Sequence, residues 1–520
     1  MISNSTSVTI LLISVAIIIL TVFHPYPYDN VVTRWALSRQ LIDNGSINID
    51  PYIKYTSDRA FSNDHYYCDK AVLTSVAAAI PYGITRTIAN LISLEIPPSA
   101  YRYIAERLSA GISFILLLFF LMKELNRTKK PTFLPLLALG AGSILLPYST
   151  LLYGHVPAAF FLFMSYYFQN RNKYLQADIF GALAAATEFP VMLPFLILAA
   201  YRGKKYWSLS RILQLAGIIV LAFLPQLIHN WVAFGNPLTM GYSLETAEAF
   251  EGMSRGLFGF TLPSLKAVYL LMLSPERGLF FYMPWTVLGI AGFFRGKQLI
   301  SVLKNNPLPL MMITYLILFT AYYMPTGGWA FGPRHLIPII PFFAIGLAKF
   351  VSISRKYLFM AALLVLPSIL IALIGTFGEI HQPVHPVENP LPIPQWNIGL
   401  TMMLNGHHSL WLLGSVGAAC IIIALLALWG LSIKKSKLSW KGIAILFLWC
   451  LLIIPSALQN WGGKTDYYRA VLAEHRQQWK LASEYYEAAA EDPSAPEIVL
   501  DKYEFCRLMH LNDSRSRLEF

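Results

Sequence analysis

Apolar runs, most of about 16–23 residues and a few shorter, recur along most of the chain, separated by short polar or basic stretches. A run of that length, as a helix, matches the roughly 30 Å hydrocarbon core of a bilayer. The runs fall near 8–23, 103–122, 133–152, 156–169, 175–187, 189–201, 211–231, 279–294, 308–323, 335–350, 357–377, 409–431 and 441–457. They predict an all-α polytopic membrane protein of about 13 transmembrane helices over 1–460. The first run has no basic stretch before it and no small-residue cleavage signal after it, so it reads as a retained helix. The segment 71–92 is apolar too, but it contains Pro81 and Arg86. It reads as an interfacial or re-entrant helix.

Two regions break the pattern. The first is 24–82, where six Asp and no Glu occur among the first 47 residues, together with Arg34, Arg39, Lys54, Arg59 and Lys70 and many aromatic residues. A simple connection between two membrane helices needs no such surface, so this loop reads as one wall of an active site. Within it, VVTRWALSRQLID predicts a helix that Asp29 or Asn30 can cap and Asn44-Gly45 can end. The second is 461–520, polar and helix-prone. There Ala482, Tyr486 and Ala489, followed by Asp492-Pro493, resemble a tetratricopeptide helix pair one residue short. A single unit of that kind cannot bury its own face. This tail therefore reads as a small helical hairpin that packs on the membrane domain or a partner.

Composition agrees: of 520 residues, 56% are hydrophobic and only 13% charged, where a soluble domain carries roughly 25%. The net charge of +12 suggests nucleic acid until its distribution is considered. Basic clusters follow every second apolar run: Lys123 to Lys130, Arg171/Lys173, Arg202 to Arg211, Arg295 to Lys304, Lys349 to Lys356 and Lys434 to Lys441. Those loops should face the cytoplasm. The N-terminus is then inside, the 24–82 loop and the C-terminal tail lie outside, and no nucleic-acid partner is implied. The protein belongs in the cytoplasmic membrane, with the lipid bilayer as its surroundings.

Four cysteines show no metal-ligand spacing. Cys420 and Cys450 lie in apolar runs, whereas Cys68 and Cys506 would both be outside, so a disulfide between them stays open. His381 and His385 fall in a Pro-rich stretch unsuited to a helix, and no metal site is read there.

The residues suited to chemistry gather on the outer side. Asp29 follows the first run, and Lys70 closes the long loop, where it is either a functional cation or an interfacial lysine whose head snorkels to water. Arg334 opens a late run after a Gly-rich loop, against the positive-inside trend, which calls for a local anion. Arg277 poses the same question, although Glu276 beside it offers an answer. A lipid phosphate is the anion available at that depth, and ionisable groups there are functional candidates.

This order of motifs resembles a known family. An Asp follows the first span, HYYCDKAVL carries Lys70 before an apolar helix, and Gly332-Pro333-Arg334-His335-Leu336-Ile337-Pro338 begins a late one. It looks like the bacterial branch of the GT-C glycosyltransferases, which includes the lipid A aminoarabinose transferase and the protein O-mannosyltransferases. The likeness runs in topology over roughly 1–460. The family's Lys-Pro-Pro is here Lys70-Ala71-Val72, and His155 stands where many relatives carry a second Asp. The resemblance implies a GT-C fold with outer juxtamembrane helices in the first loop. It implies transfer of a sugar from a polyprenyl-phosphate donor to a hydroxyl of a glycan, lipid or protein acceptor. Asp29 would be the general base, and Lys70 and Arg334, with Arg277, would hold the leaving phosphate. His155, Asp58, Asp69, Tyr67 and His335 become candidates to line the acceptor or support these groups. No cofactor is expected; a metal is not required, though a divalent cation stays compatible. The alternative is a flippase for a lipid-linked sugar, which should show helices broken near the midplane and internal two-fold similarity.

Overall fold

The computed structural model describes residues 4–377 except 23, 25–28, 204–205, 246–251, 254, 257–258, 275–276, 295–297 and 329, and, further on, 470, 473, 479–490, 503–507 and 509. The expected spans at 409–431 and 441–457, Cys420, Cys450, His381, His385, Glu276 and Asp492-Pro493 lie outside the described residues.

The chain begins with α1 (Asn4–Thr21) and α2 (Asp29–Asp43), which ends at Gly45 with φ +61°. A short hairpin follows, β1 (Ala60–Ser62) antiparallel to β2 (His65–Tyr67) with Ala60 opposite Tyr67. Then come α3 (Leu73–Leu91), α4 (Pro98–Glu106), α5 (Ile112–Arg127), α6 (Phe133–Gly140) and α7 (Leu145–Tyr148). Next are α8 (His155–Gln169), α9 (Tyr174–Thr187), α10 (Met192–Ala200), α11 (Leu209–Phe234), α12 (Leu265–Met272) and α13 (Leu279–Tyr282). The described bundle closes with α14 (Trp285–Phe294), α15 (Leu299–Asn305), α16 (Pro307–Thr320), α17 (Ile340–Val351) and α18 (Arg355–Phe377), and α19 (Trp479–Ala490) lies in the tail.

Every span expected before residue 377 falls on helix for most of its length. Four helical stretches are long and apolar enough to cross a membrane: Pro98–Arg127, Leu209–Phe234, Arg334–Val351 and Arg355–Leu373. The bent pair α14 and α15 is a fifth if counted as one span. Among the described residues the protein is thus a helical membrane protein with four or five such spans, fewer than the run count predicted. Some of the others are shortened by breaks, as at 141–144 between α6 and α7 and at Glu188 between α9 and α10.

Local chemistry explains the ends. Ser208 and Ser264 accept from Arg211 N and Ala267 N to cap α11 and α12, satisfying amides that have no partner inside the helix. Asn306 does the same for α16, with Pro307 in its first turn. Pro190 supplies no N–H and crowds the preceding turn, so α9 stops and Glu188 is extended (φ −143°, ψ 107°).

α17 is central, with 83% of its span buried, whereas α11 is peripheral at 17%. Close packing of α14 on α17 depends on Gly289, Gly292 and Gly346, where any Cβ would run into facing backbone. α3 turns Ile80, Ile84, Ile88 and Leu91 outward and buries Ser75, Ala78 and Tyr82. An apolar stripe facing away from the protein suits a helix lying against lipid. In the tail, Ala482, Tyr486 and Ala489 are buried together with Ala470, Ala473 and Cys506. Cys68 is a free thiol that packs with Ala36, Leu37, Ile49 and Val72, so it forms no disulfide with Cys506.

Candidate functional site

The candidate residues sit where α2, the hairpin loop and the starts of α8 and α17 meet. Asp29 is the first residue of α2; its carboxylate accepts from Ser57 Oγ at 2.5 Å, and its carbonyl accepts from Thr56 Oγ1 at 3.0 Å. Asn30 does not act as a free cap, because its side chain accepts from Arg34 Nε at 3.0 Å.

Lys70 lies buried among three carboxylates. Its Nζ is 3.3 Å from Asp58 Oδ2 and 3.7 Å from Glu245 Oε1, and it donates to Asp69 Oδ2. Close approach of the 240s loop requires Gly241, since a Cβ there would come 2.8 Å from Asp69 Cα. Burial alone would lower the Lys70 pKa, but Asp58, Asp69 and Glu245 together hold it well above the usual value. Burial pushes the Asp58 carboxyl up to about 6, opposed by Lys70 and Arg334 and reinforced by Asp69 and Asp29. Burial and then Asp69 raise Glu245 as well. Asp58, Asp69 and Glu245 each offer an oxygen within 4.8 Å of the others, a spacing that a cation can bridge. The Lys70 ammonium stands in that cluster as a cation of the protein's own.

A second group forms round Glu188, whose Oε1 is 3.3 Å from His155 Nδ1 and 3.5 Å from Arg34 NH2. Gly154 makes room for it, because any Cβ there would strike the Glu188 carboxylate. Arg34 also donates to Ala71 O at 2.8 Å, tying α2 to the Lys70 turn.

Arg334 and His335 open the short 3-10 turn before α17. The Arg334 guanidinium is 5.7 Å from the Tyr153 ring centre, and its buried Nε has no hydrogen-bond partner among the described residues. Its charge reaches Asp58 and Glu188, which joins the two groups into one site. His335 stacks on Phe319 at 4.8 Å and meets the His155 ring edge-on at 5.9 Å. Tyr148 braces the preceding loop, accepting from Phe331 N at 3.0 Å. Arg277 is wholly buried and donates to Gly328 O at 3.3 Å in the Gly-rich loop. Tyr67 turns toward α11, edge-on to His229 and Phe234 at 6.3 and 5.7 Å.

Asp29, Asp58, Asp69, Lys70, His155, Arg334 and His335 therefore lie in one region, with Arg277 beneath the Gly-rich loop and Tyr67 on the α11 side. Sequence reasoning overlooked Glu245 and the roles of Glu188 and Arg34 here. Glu188 left a signal, an acid before Phe-Pro between two short apolar runs; nothing distinguished Glu245 from other acids of its loop. No protein-family model matches this chain, and no curated protein matches it.

Proposed function

We propose that the protein is a membrane glycosyltransferase of GT-C type. In this reading it moves a sugar from a polyprenyl-phosphate donor to an acceptor hydroxyl at the outer face of the cytoplasmic membrane, within a domain of about 13 spans. The observation that carries the reading is the meeting of acids and cations from separate segments at one end of an apolar bundle. Asp29, Lys70, Glu188 and Arg334 come from four of them. Asp29, held by Ser57 and only partly buried, takes the proton of the acceptor hydroxyl. The hydroxyl oxygen bonds to the anomeric carbon, the bond from that carbon to the lipid phosphate oxygen breaks, and its electron pair leaves on the phosphate. Arg334, which faces the Tyr153 ring and whose buried Nε has no hydrogen-bond partner among the described residues, suits that phosphate best. Lys70 joins it by exchanging one of its carboxylates for phosphate.

The flippase reading has one observation in its favour: the break between α9 and α10 at a part-buried acid, since discontinuous helices line transporter sites. Asp29→Asn decides between them. Asn preserves the helix start but has no useful basicity, so release of polyprenyl phosphate should fall about a hundredfold or more while donor binding persists. Parental release by this variant would move the base elsewhere. Movement of intact lipid-linked sugar between leaflets without any release would favour the flippase.

A further inference from the structure

Two nitrogens of the candidate site face one glycine. Gly327 closes a tight turn, its N–H donating to Met324 O at 3.0 Å, and its φ is +78°. A Cβ built on it would lie 3.1 Å from Arg334 Nε and 3.1 Å from His335 Nε2. Both nitrogens are buried, and neither has a hydrogen-bond partner among the described residues. Two successive side chains thus bring unused polar atoms to the space beside a residue that has no side chain. One small group there can meet both.

The imidazole is held in place without its nitrogens being used. The His335 ring lies flat on Phe319, with centroids 4.8 Å apart and planes 7° from parallel, and it meets Tyr322 edge-on at 5.5 Å. A guanidinium N–H only donates, so whatever meets Arg334 Nε must be an acceptor. An imidazole with its proton on Nε2 donates to the same acceptor. Two donors at short range, one of them on a permanent cation, suit an oxyanion, and the guanidinium fork suits phosphate in particular.

We infer that Arg334 Nε and His335 Nε2 hold one phosphate group between them beside Gly327, which makes His335 a phosphate-binding residue. The inference rests on the transferase reading for the identity of the ligand, a polyprenyl phosphate; a free phosphate offers the same oxygens. Gly327 then does more than make a left-handed turn, because its lack of a side chain keeps the space between the nitrogens open. Its neighbour Gly328 separates the two effects. It is left-handed too, with φ +69°, but a Cβ there would meet only Met324 Sδ, at 3.2 Å.

The test uses the full-length protein in detergent and phosphate-free buffer, with binding of farnesyl phosphate, farnesol and inorganic phosphate measured by titration calorimetry. His335→Phe keeps the ring stack and removes Nε2. It should melt close to the parent and bind phosphate about tenfold or more weakly, the weight of a hydrogen bond to a charged group. Gly327→Ala should lose as much, whereas Gly328→Ala, with similar backbone strain, should bind like the parent. Tighter binding of farnesyl phosphate than of farnesol or inorganic phosphate assigns the lipid phosphate. Binding of inorganic phosphate alone assigns a soluble ligand; it supports the site and counts against the transferase reading. Phosphate bound through His335, with no polyprenyl phosphate released from any sugar donor, would likewise sink that reading and leave the site standing. Parental affinity in His335→Phe or in Gly327→Ala would overturn the inference. So would equal losses in the two glycine variants, or no binding of either phosphate by the parental protein.

Discussion

Glu188 Oε1 stands 3.3 Å from His155 Nδ1, joining the break after α9 to the first residue of α8. The same carboxylate faces Arg34, whose side chain is only 3% exposed. Leaving one member of a buried pair without its partner typically costs about 3–5 kcal/mol. Glu188→Gln should therefore lower the melting temperature clearly and slow transfer. Removing both charges, as Arg34→Met with Glu188→Met, should recover much of the stability but not the activity. Recovery of both would make the pair a purely structural tie.

The sequence offers Lys70 as a functional cation or as an interfacial lysine whose head snorkels to water. Three carboxylates surround it instead. Lys70→Ala strands buried negative charge, so thermal unfolding should shift down by an amount on the order of 3–5 kcal/mol. Adding Glu245→Gln should restore part of it. A Lys70→Ala protein that melts with the parent would show that the cluster holds its charge another way.

The raised Asp58 carboxyl makes a pH-dependent contribution. Its ordinary value of 3.8 is pushed up to about 6 by burial, against Lys70 and Arg334 and with Asp69 and Asp29; Glu245 faces the same lysine. The folded state then holds this proton more tightly than the unfolded chain, so stability falls as pH rises between those values. Parental protein should lose melting temperature relative to Asp58→Asn from about pH 4 to pH 6 and run parallel above that. Parallel curves throughout would place that proton elsewhere.

Orientation is open to cysteine labelling in intact cells. Cys68 is 1% exposed and will not report. Asp64, at the exposed hairpin tip, and Lys129, exposed after α5, will. Asp64→Cys should react with a membrane-impermeant maleimide, and Lys129→Cys should react only after lysis. The reverse pattern would invert the topology and with it the assignment of the site to the outer face.

What the sequence determined is what depends on near neighbours. Apolar runs located most helices before residue 377, though not α12 or α15, Asp29 and Asn44-Gly45 bounded α2, and the 482/486/489 spacing named the buried face of α19. Helical periodicity and capping act over a few residues, so a single stretch of chain contains them. Tertiary structure decided which charges meet. Arg34 and Glu188 are 154 positions apart, and Lys70 meets Glu245 only because two loops pack together at Gly241. It also sealed Arg277 inside and left Cys68 a free, buried thiol. These outcomes follow from which helices pack side by side, and no local pattern encodes that choice when every helix offers a similar apolar surface to lipid and to its neighbours.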